Sequence, residues 1–313
     1  MEAQNGRRQG RVAVIGSLNM DLVVRSPRMP QPGETLVGQT FAQVPGGKGG
    51  NQAVAAARLG ARVSMIGRIG HDGNGAQLKQ GLEDEGIDCT GVSTDEALPT
   101  GVALIIVDDA SQNSIVIVAG SNGALTPALI AEREGRIADA DVAVFQLETP
   151  SDTVLAAMQT ARRHGRTVVL NPAPVTSPLP KGWLEATDFV IPNEIEAAAL
   201  SGVKVDTPDA ARRAACVLRE QGARNVIITL GSQGVFVLGE HDATDGGTHY
   251  PARKVNAVDT TAAGDTFVGG FSATLASGRS VDEAVRFGLA AAALSVTRAG
   301  AQPSIPHLSE VTI

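Results

Sequence analysis

Cysteine, aromatic side chains and positive charge are all scarce in this chain, and each shortage closes off a class of function. Only Cys89 and Cys216 carry thiols, far apart and in no CxxC pair. A disulfide framework or thiolate metal centre is thereby excluded, and ordinary reduced thiols in a cytoplasmic protein are expected. The lone Trp183 and lone Tyr250 form no stacking platform for bases. Lys plus Arg number 26 against 33 Asp plus Glu, a net charge of -7, and the basic residues are scattered. Neither nucleic acid nor an anionic membrane is an expected partner. His71, His164, His241, His249 and His307 show no metal spacing. No apolar run approaches the roughly 20 residues of a membrane span. The start, Met1 to Arg11, is polar and basic without the apolar core of a signal peptide, and is expected to be a flexible tail.

What is present is 43% hydrophobic, enough for one large core in 313 residues. A single α/β domain over 12–313 is expected. Strand-like runs at Val12 to Gly16, Val63 to Ile66, Val142 to Phe145, Thr167 to Leu170, Phe189 to Ile191 and Val226 to Leu230 alternate with helical stretches. Thr126-Pro127, Thr149-Pro150-Ser151 and Thr207-Pro208-Asp209 each place a capping hydroxyl before a first-turn proline. Strand, helix, strand at this spacing predicts a mostly parallel central sheet covered by helices on both faces. Two stretches, about 20–45 and 98–120, differ: they hold β-prone pieces at Leu22 to Val24, Thr35 to Val37, Phe41 to Val44, Thr100 to Val107 and Ser114 to Ala119. They are expected to pair as a small antiparallel β lid, able to close over a ligand or to pair with a copy of itself.

Chemistry concentrates in two glycine-bearing turns. Asp259 to Phe267 reads DTTAAGDTF before an apolar helix predicted over Gly264 to Ala276. Small residues with a glycine leave backbone N–H groups bare where a helix starts, which suits an anion. Asp265 in the same turn cannot ligate that anion, so its natural task is to accept a proton. Pro45 to Asn51 reads PGGKGGN and opens a helix predicted over Gln52 to Leu59. Its glycines let backbone approach a ligand, but Lys48 is followed by Gly49 rather than Ser or Thr, so it is not a P-loop.

Ligands of open α/β sheets gather outside the carboxyl ends of the strands. Asn19, Asp21, Glu148, Asn193, Glu196 and the Thr229 to Gly234 turn all fall at that rim. Asn19, Asp21 and Glu148 suit a hydroxyl-rich ligand, and Asn193 and Glu196 offer oxygens for a hard cation such as Mg²⁺ riding on phosphates. Each would equally serve as a cap or turn residue.

Together the turns Gly46 to Ala53 and Asp259 to Phe267, with Gly16 to Asp21, Gln146 to Glu148, Asn171 to Pro174, Pro192 to Glu194 and Gly300 to Ser304, resemble the ribokinase-like, PfkB-type carbohydrate kinases, and the match runs from about Val12 to Pro306. The resemblance implies ATP-dependent phosphorylation of D-ribose at its 5-hydroxyl, giving D-ribose 5-phosphate and ADP. It implies Asp265 as base and the Ala262, Ala263 and Gly264 amides as anion hole. Asn19, Asp21, Gly46, Gly47, Lys48, Asn51 and Glu148, with Asp265, match sugar-contacting positions. Asn193, Glu196, Thr229, Gly231, Ser232, Gly234 and Gly264 match the MgATP side. Asp259, Thr261, Ser295, Arg298, Gly300 and Ser304 match a potassium (monovalent cation) site, and the lid is implied to join a homodimer. The signatures leave open a sister kinase for deoxyribose, another sugar or a nucleoside. A sugar- or nucleotide-binding protein without catalysis is the alternative from a different class.

Overall fold

The computed structural model describes residues 8–110, 112–175, 178–243 and 246–313. Residues 1–7 of the expected tail lie outside them; Arg8 donates from Nη2 to Asp141 Oδ1 at 2.6 Å. The chain enters through β1 (Arg11–Ile15). Val12 and Val14 join the core on one face of the sheet, Ala13 and Ile15 the core on the other. Burial on both faces is why this strand is a continuous apolar run rather than an alternating one.

From β1 the chain leaves the main sheet for β2 (Asn19–Ser26) and β3 (Thr40–Gly46), then returns through α1 (Lys48–Arg58) to β4 (Arg62–Gly70). After α2 (Gly73–Asp84) and β5 (Asp88–Asp95) it departs again into β6 (Gly101–Asp108) and β7 (Asn113–Val118). Short helices α3 (Pro127–Ala131) and α4 (Glu134–Asp139) lead to β8 (Val142–Phe145), α5 (Ser151–Arg163), β9 (Thr167–Leu170) and β10 (Phe189–Val190). Helices α6 (Glu194–Ser201) and α7 (Pro208–Glu220) precede β11 (Asn225–Thr229). Strands β12 (Val235–Leu238) and β13 (Thr248–Tyr250) form an antiparallel edge, followed by α8 (Ala263–Ala276) and α9 (Val281–Ser295).

The main sheet runs β13-β12-β11-β10-β9-β8-β1-β4-β5, parallel from β11 to β5. The expected architecture, a mostly parallel sheet covered on both faces with a small β lid, is what the chain forms. β1 sits between β8 and β4, so the chain winds away from it in both directions and opens a crevice outside the carboxyl ends of β1 and β8.

The lid runs β3-β2-β6-β7. Its outer pairings are antiparallel, while β2 and β6 are parallel from Asn19↔Gly101 to Ser26↔Asp108. Both strands set out from the same rim, one after β1 and one after β5, so they run the same way. Thr35 to Val37, expected as a strand, is irregular. Among the predicted caps, Thr126 and Thr207 accept from Leu129 N and Ala210 N at 3.4 and 3.1 Å. Thr149 does not cap α5: the helix starts one residue too late for it, and its buried hydroxyl has no partner among the described residues. Helix α1 begins at Lys48 rather than Gln52 because Ser17 accepts from the Gly50 N–H at 3.0 Å through its carbonyl and from the Gly49 N–H at 3.3 Å through Oγ. Tertiary partners replace the intrinsic propensity those glycines lack. Among the described residues no helix is long and apolar enough to cross a membrane.

Helices α1 and α8 pack closely. A Cβ on Gly269 would stand 2.4 Å from Ala55 Cβ and 2.8 Å from Ala56 N. Gly269→Ala should therefore force the helices apart and cost about 1–3 kcal/mol in thermal unfolding. Gly81→Ala in α2, where an added Cβ meets nothing within 4 Å, should be neutral or up to about 1 kcal/mol stabilising. Equal responses of the two variants would refute the tight α1–α8 contact.

Candidate active site

The parallel register brings polar strand ends to one rim. Ser17 leaves β1 and Glu148 follows β8; the Ser17 hydroxyl donates to Glu148 Oε2, which also accepts from Lys48 N at 3.1 Å. One carboxylate thus ties the β1 exit, the β8 exit and the start of α1. Gly47, the residue before α1, has φ of 81° and no space for a Cβ, which would lie 2.7 Å from Asn19 N. That close approach seats the Lys48 turn on the strand carrying Asn19 and Asp21. Asn19 Oδ1 accepts from Asn122 Nδ2 at 2.8 Å, and Gly46 packs against the Asp21 carboxylate.

Carboxylates crowd this pocket. Burial, reinforced by the charges of Glu148 and Asp265, pushes the Asp21 carboxyl up to about 7. Burial works against the charge of Lys48, but Asp265, Glu148 and Glu196 outweigh it and hold its ammonium above the ordinary lysine range. Lys48 is the cation that lets several carboxylates share one crevice.

Asp265 is buried in the first turn of α8. Its Oδ2 accepts from Asn51 Nδ2 and its Oδ1 from Gln52 Nε2, both at 2.9 Å. The turn ahead of it contains Ala262 at φ 58°, the one positive-φ residue other than glycine among the described residues. An alanine there costs about 1–2 kcal/mol, and such strain collects where a backbone is shaped for function. No hydrogen bond within the described residues reaches the Gly264 N–H, and a Cβ on Gly264 would meet nothing within 4 Å. The bare Gly264 amide therefore faces open space beside a carboxylate, whereas the Ala263 N–H, expected to be bare as well, donates to Thr260 O at 3.2 Å where the turn closes on itself. A cavity of about 210 Å³ lies there, lined by Lys48, Asn193, Glu196, Thr229, Ala262 to Asp265 and neighbours. A wider opening of about 400 Å³, at the opposite ends of the strands among Arg162, Arg166 and Asp188, includes none of the expected site residues.

Asn193 and Glu196 form a capping box on α6: Glu196 N donates to Asn193 Oδ1 at 2.8 Å and Asn193 N to Glu196 Oε2 at 2.9 Å. The cap occupies the Asn193 oxygen and Glu196 Oε2, which leaves Glu196 Oε1 as the oxygen of this pair outside the cap. Burial raises its carboxyl against the lowering effect of the Asn193 bond. Thr229, Gly231, Ser232 and Gly234 lie in and around the turn joining β11 to β12, with Gly231 and Gly234 at φ 51° and 98°.

Asp259 Oδ1 accepts from Thr261 N and Oγ1 at 2.9 and 2.6 Å, and Oδ2 from Gly300 N at 2.9 Å. Burial opposes its charge, but these bonds prevail and hold the carboxyl below its ordinary range. No ion pair reaches it among the described residues. Arg298 turns away to Glu310 at 2.6 Å, and the hydroxyls of Ser295 and Ser304 donate to Ala292 O and Ala301 O. What these three could offer a cation is backbone carbonyl oxygen, not side chain.

Residues 9–308 match the pfkB family carbohydrate kinase profile. The chain belongs to the pfkB family of carbohydrate kinases. This kinase is 46% identical over 301 residues to a ribokinase of Haemophilus influenzae, covering 96% of each chain. It is 39% identical over 299 residues to a deoxyribokinase of Salmonella typhi, again covering 96% of each. The structure of an Arabidopsis thaliana ribokinase complexed with ribose and ATP superposes with a TM-score of 0.90 at 30% identity, over 96% of this chain and 97% of that one.

Sequence reasoning gave no role to several residues that build the kinase's site. Ser17, Gln52 and Asn171 lay inside quoted motifs, and Asn122 outside them. The available signal was polarity out of place: Asn51 and Gln52 are buried on an otherwise alanine-rich helix face.

The raised Asp21 carboxyl makes a sign-definite prediction. Held near 7 in the fold and near its ordinary value when unfolded, it keeps a proton that the unfolded chain has released, so its contribution to stability is lost as pH rises through that window. In sugar-free protein, Asp21→Asn should gain melting temperature relative to wild type between about pH 5 and about pH 8. A difference that stays constant with pH would refute the shift.

Proposed function

We propose that this kinase transfers the γ-phosphoryl group of ATP to the 5-hydroxyl of D-ribose, giving D-ribose 5-phosphate and ADP. The observation that carries the reading is Asp265, a buried carboxylate at the head of α8 next to the bare Gly264 amide and open to the cavity. In the proposed step Asp265 takes the proton of the attacking hydroxyl, the new bond forms between that oxygen and the γ-phosphorus, and the bond to the β-phosphate oxygen breaks. The free Gly264 amide, beside those of Ala262 and Ala263, neutralises charge on the moving group, and Lys48 adds a positive side chain.

Asn19, Asp21, Gly46, Gly47, Asn51 and Glu148 line the acceptor side in this reading. Asn51 Oδ1 supports it, since this buried acceptor has no partner among the described residues, and a hydroxyl donor would satisfy it. Sites built on paired polar groups reject analogues that lack a hydroxyl. The named ribokinase relatives favour ribose, and the deoxyribokinase relative makes deoxyribose the arm to test beside it.

On the donor side, Thr229, Gly231, Ser232 and Gly234 flank the nucleotide. Mg²⁺ would travel with its phosphates, with Glu196 the side-chain oxygen to meet its waters. The unpaired Asp259 carboxylate with the carbonyl oxygens of Thr261, Ser295, Arg298, Gly300 and Ser304 is a hard-oxygen set that fits potassium. Bound there, the cation would add positive charge beside the turn that presents the amides.

The lid supports a homodimer reading. Strand β7 is exposed along its whole length, and Ile115, Val116, Ile117 and Val118 stand with Phe41 and Leu104 as exposed apolar side chains. A second lid would cover them. A reducing, cytoplasmic setting suits the thiols, since burial pushes Cys89 up to about 11 and away from reactivity.

ADP release with MgATP should require D-ribose, and should fall when tetramethylammonium replaces potassium. Asp265→Asn should retain sugar binding yet lose at least about 1,000-fold in kcat. A variant within about tenfold of wild type would remove Asp265 as the base, and a rate greater with deoxyribose than ribose would reassign the acceptor. Sedimentation should show a dimer that Val116→Lys dissociates; a monomeric wild type would refute the lid interface.

A further inference from the structure

Asp265 is gripped on both oxygens, and the second grip belongs to a network that the proposed reaction does not itself require. Gln52 is fully buried in α1. Its Nε2 donates to Asp265 Oδ1 at 2.9 Å and to Asn171 Oδ1 at 3.0 Å, while its Oε1 accepts from Gln146 Nε2 at 2.6 Å. Gln146, at the end of β8, is also fully buried. Asn171, at the end of β9, spends its own N–H on Ile191 O at 2.8 Å, so its oxygen faces Gln52. Two acceptors, one of them charged, therefore lie on one side of the Gln52 amide and a donor on the other. Turning that amide over would set its oxygen against Asp265 and Asn171 and its N–H against the Gln146 N–H. Only one orientation of the Gln52 amide satisfies its three partners, while Gln146 Oε1 is left without a partner among the described residues.

Resting on the reading of Asp265 as base, we infer that Gln52 is a positioning residue for that carboxylate, with Gln146 behind it fixing which edge of the Gln52 amide faces Asp265. The carboxylate is held through both oxygens by two amide donors. It thereby loses rotational freedom, so the oxygen that receives the proton keeps a fixed direction. Gln52 lies behind the carboxylate and, Asp265 apart, bonds to no expected sugar contact, so its effect belongs in kcat rather than in KM.

The test compares wild type, Gln52→Met, Gln52→Glu and Asp265→Asn. The methionine variant keeps length and apolar packing but donates no hydrogen bond; the glutamate variant keeps shape and opposes Asp265 with a second carboxylate. Gln52→Met should lower kcat about 10- to 100-fold with the ribose KM within about threefold. Gln52→Glu should be slower still near neutral pH, while Gln146→Met, which frees the Gln52 amide to turn, should fall between wild type and Gln52→Met. Gln52→Met within twofold of wild type in kcat overturns the inference. So does a kcat loss matched by equal losses of ribose affinity and melting temperature, the pattern of a merely structural residue. A nearly active Asp265→Asn enzyme defeats the base reading, and this inference with it; an inactive one beside an unaffected Gln52→Met defeats the positioning alone.

Discussion

The close seating of α1 on α8 is the constraint on which the site depends. Small residues on both helices, Gly269 against Ala55 and Ala56, bring the first turns together until Asn51 and Gln52 reach Asp265. Had either helix carried larger side chains at that seam, the carboxylate would have lost its two amide donors and stood buried without partners. Leaving a buried charged acceptor unpaired costs more than the roughly 1–3 kcal/mol of a neutral one. Packing and chemistry are therefore one arrangement: the contact that closes the core also orients the group that faces the cavity.

Charge in the crevice is balanced in the same economical way. Asp21, Glu148, Glu196 and Asp265 would repel one another in a low-dielectric pocket, and Lys48 is the cation whose field reaches three of them. The residual strain is visible at Asp21, whose carboxyl is pushed up to about 7. Such a pocket favours a neutral ligand rich in hydroxyls, which can donate to carboxylates without adding negative charge. In the proposed reaction the phosphate-bearing partner is met by the free Gly264 amide at the start of α8.

Rim and lid together give the crevice its shape. The rim follows from the sheet order, because β1 lies between strands that wind away from it in opposite directions. The lid grows from the same rim through two separate excursions, after β1 and after β5, and their common starting edge makes the central β2–β6 pairing parallel. Its exposed outer strand β7 contrasts with β1, every residue of which after the first is buried.

Much of this was legible in the sequence, where the physics is local. Apolar runs bounded by turn residues marked β1, β8, β9 and β11; hydroxyl-Pro pairs marked the starts of α3 and α7; and the two glycine-bearing turns marked where backbone must approach a ligand. Local rules gave way where a distant partner intervened. Helix α1 starts at Lys48 because Ser17, outside the helix, satisfies its first amides, and Thr149 fails as a cap because α5 begins just beyond it. Arg298 turns to Glu310, and the Asn193 oxygen is spent on its own helix, neither of which spacing along the chain reveals. The sequence by itself determined the elements, their order and the residue types available at the rim, since propensity, periodicity and turn chemistry act over a few neighbours. The tertiary structure alone decided which of those polar residues meet, as with Gln52, Gln146 and Asn171 on three different elements, because hydrogen-bond geometry is set by how helices and strands pack and not by their separation in the chain.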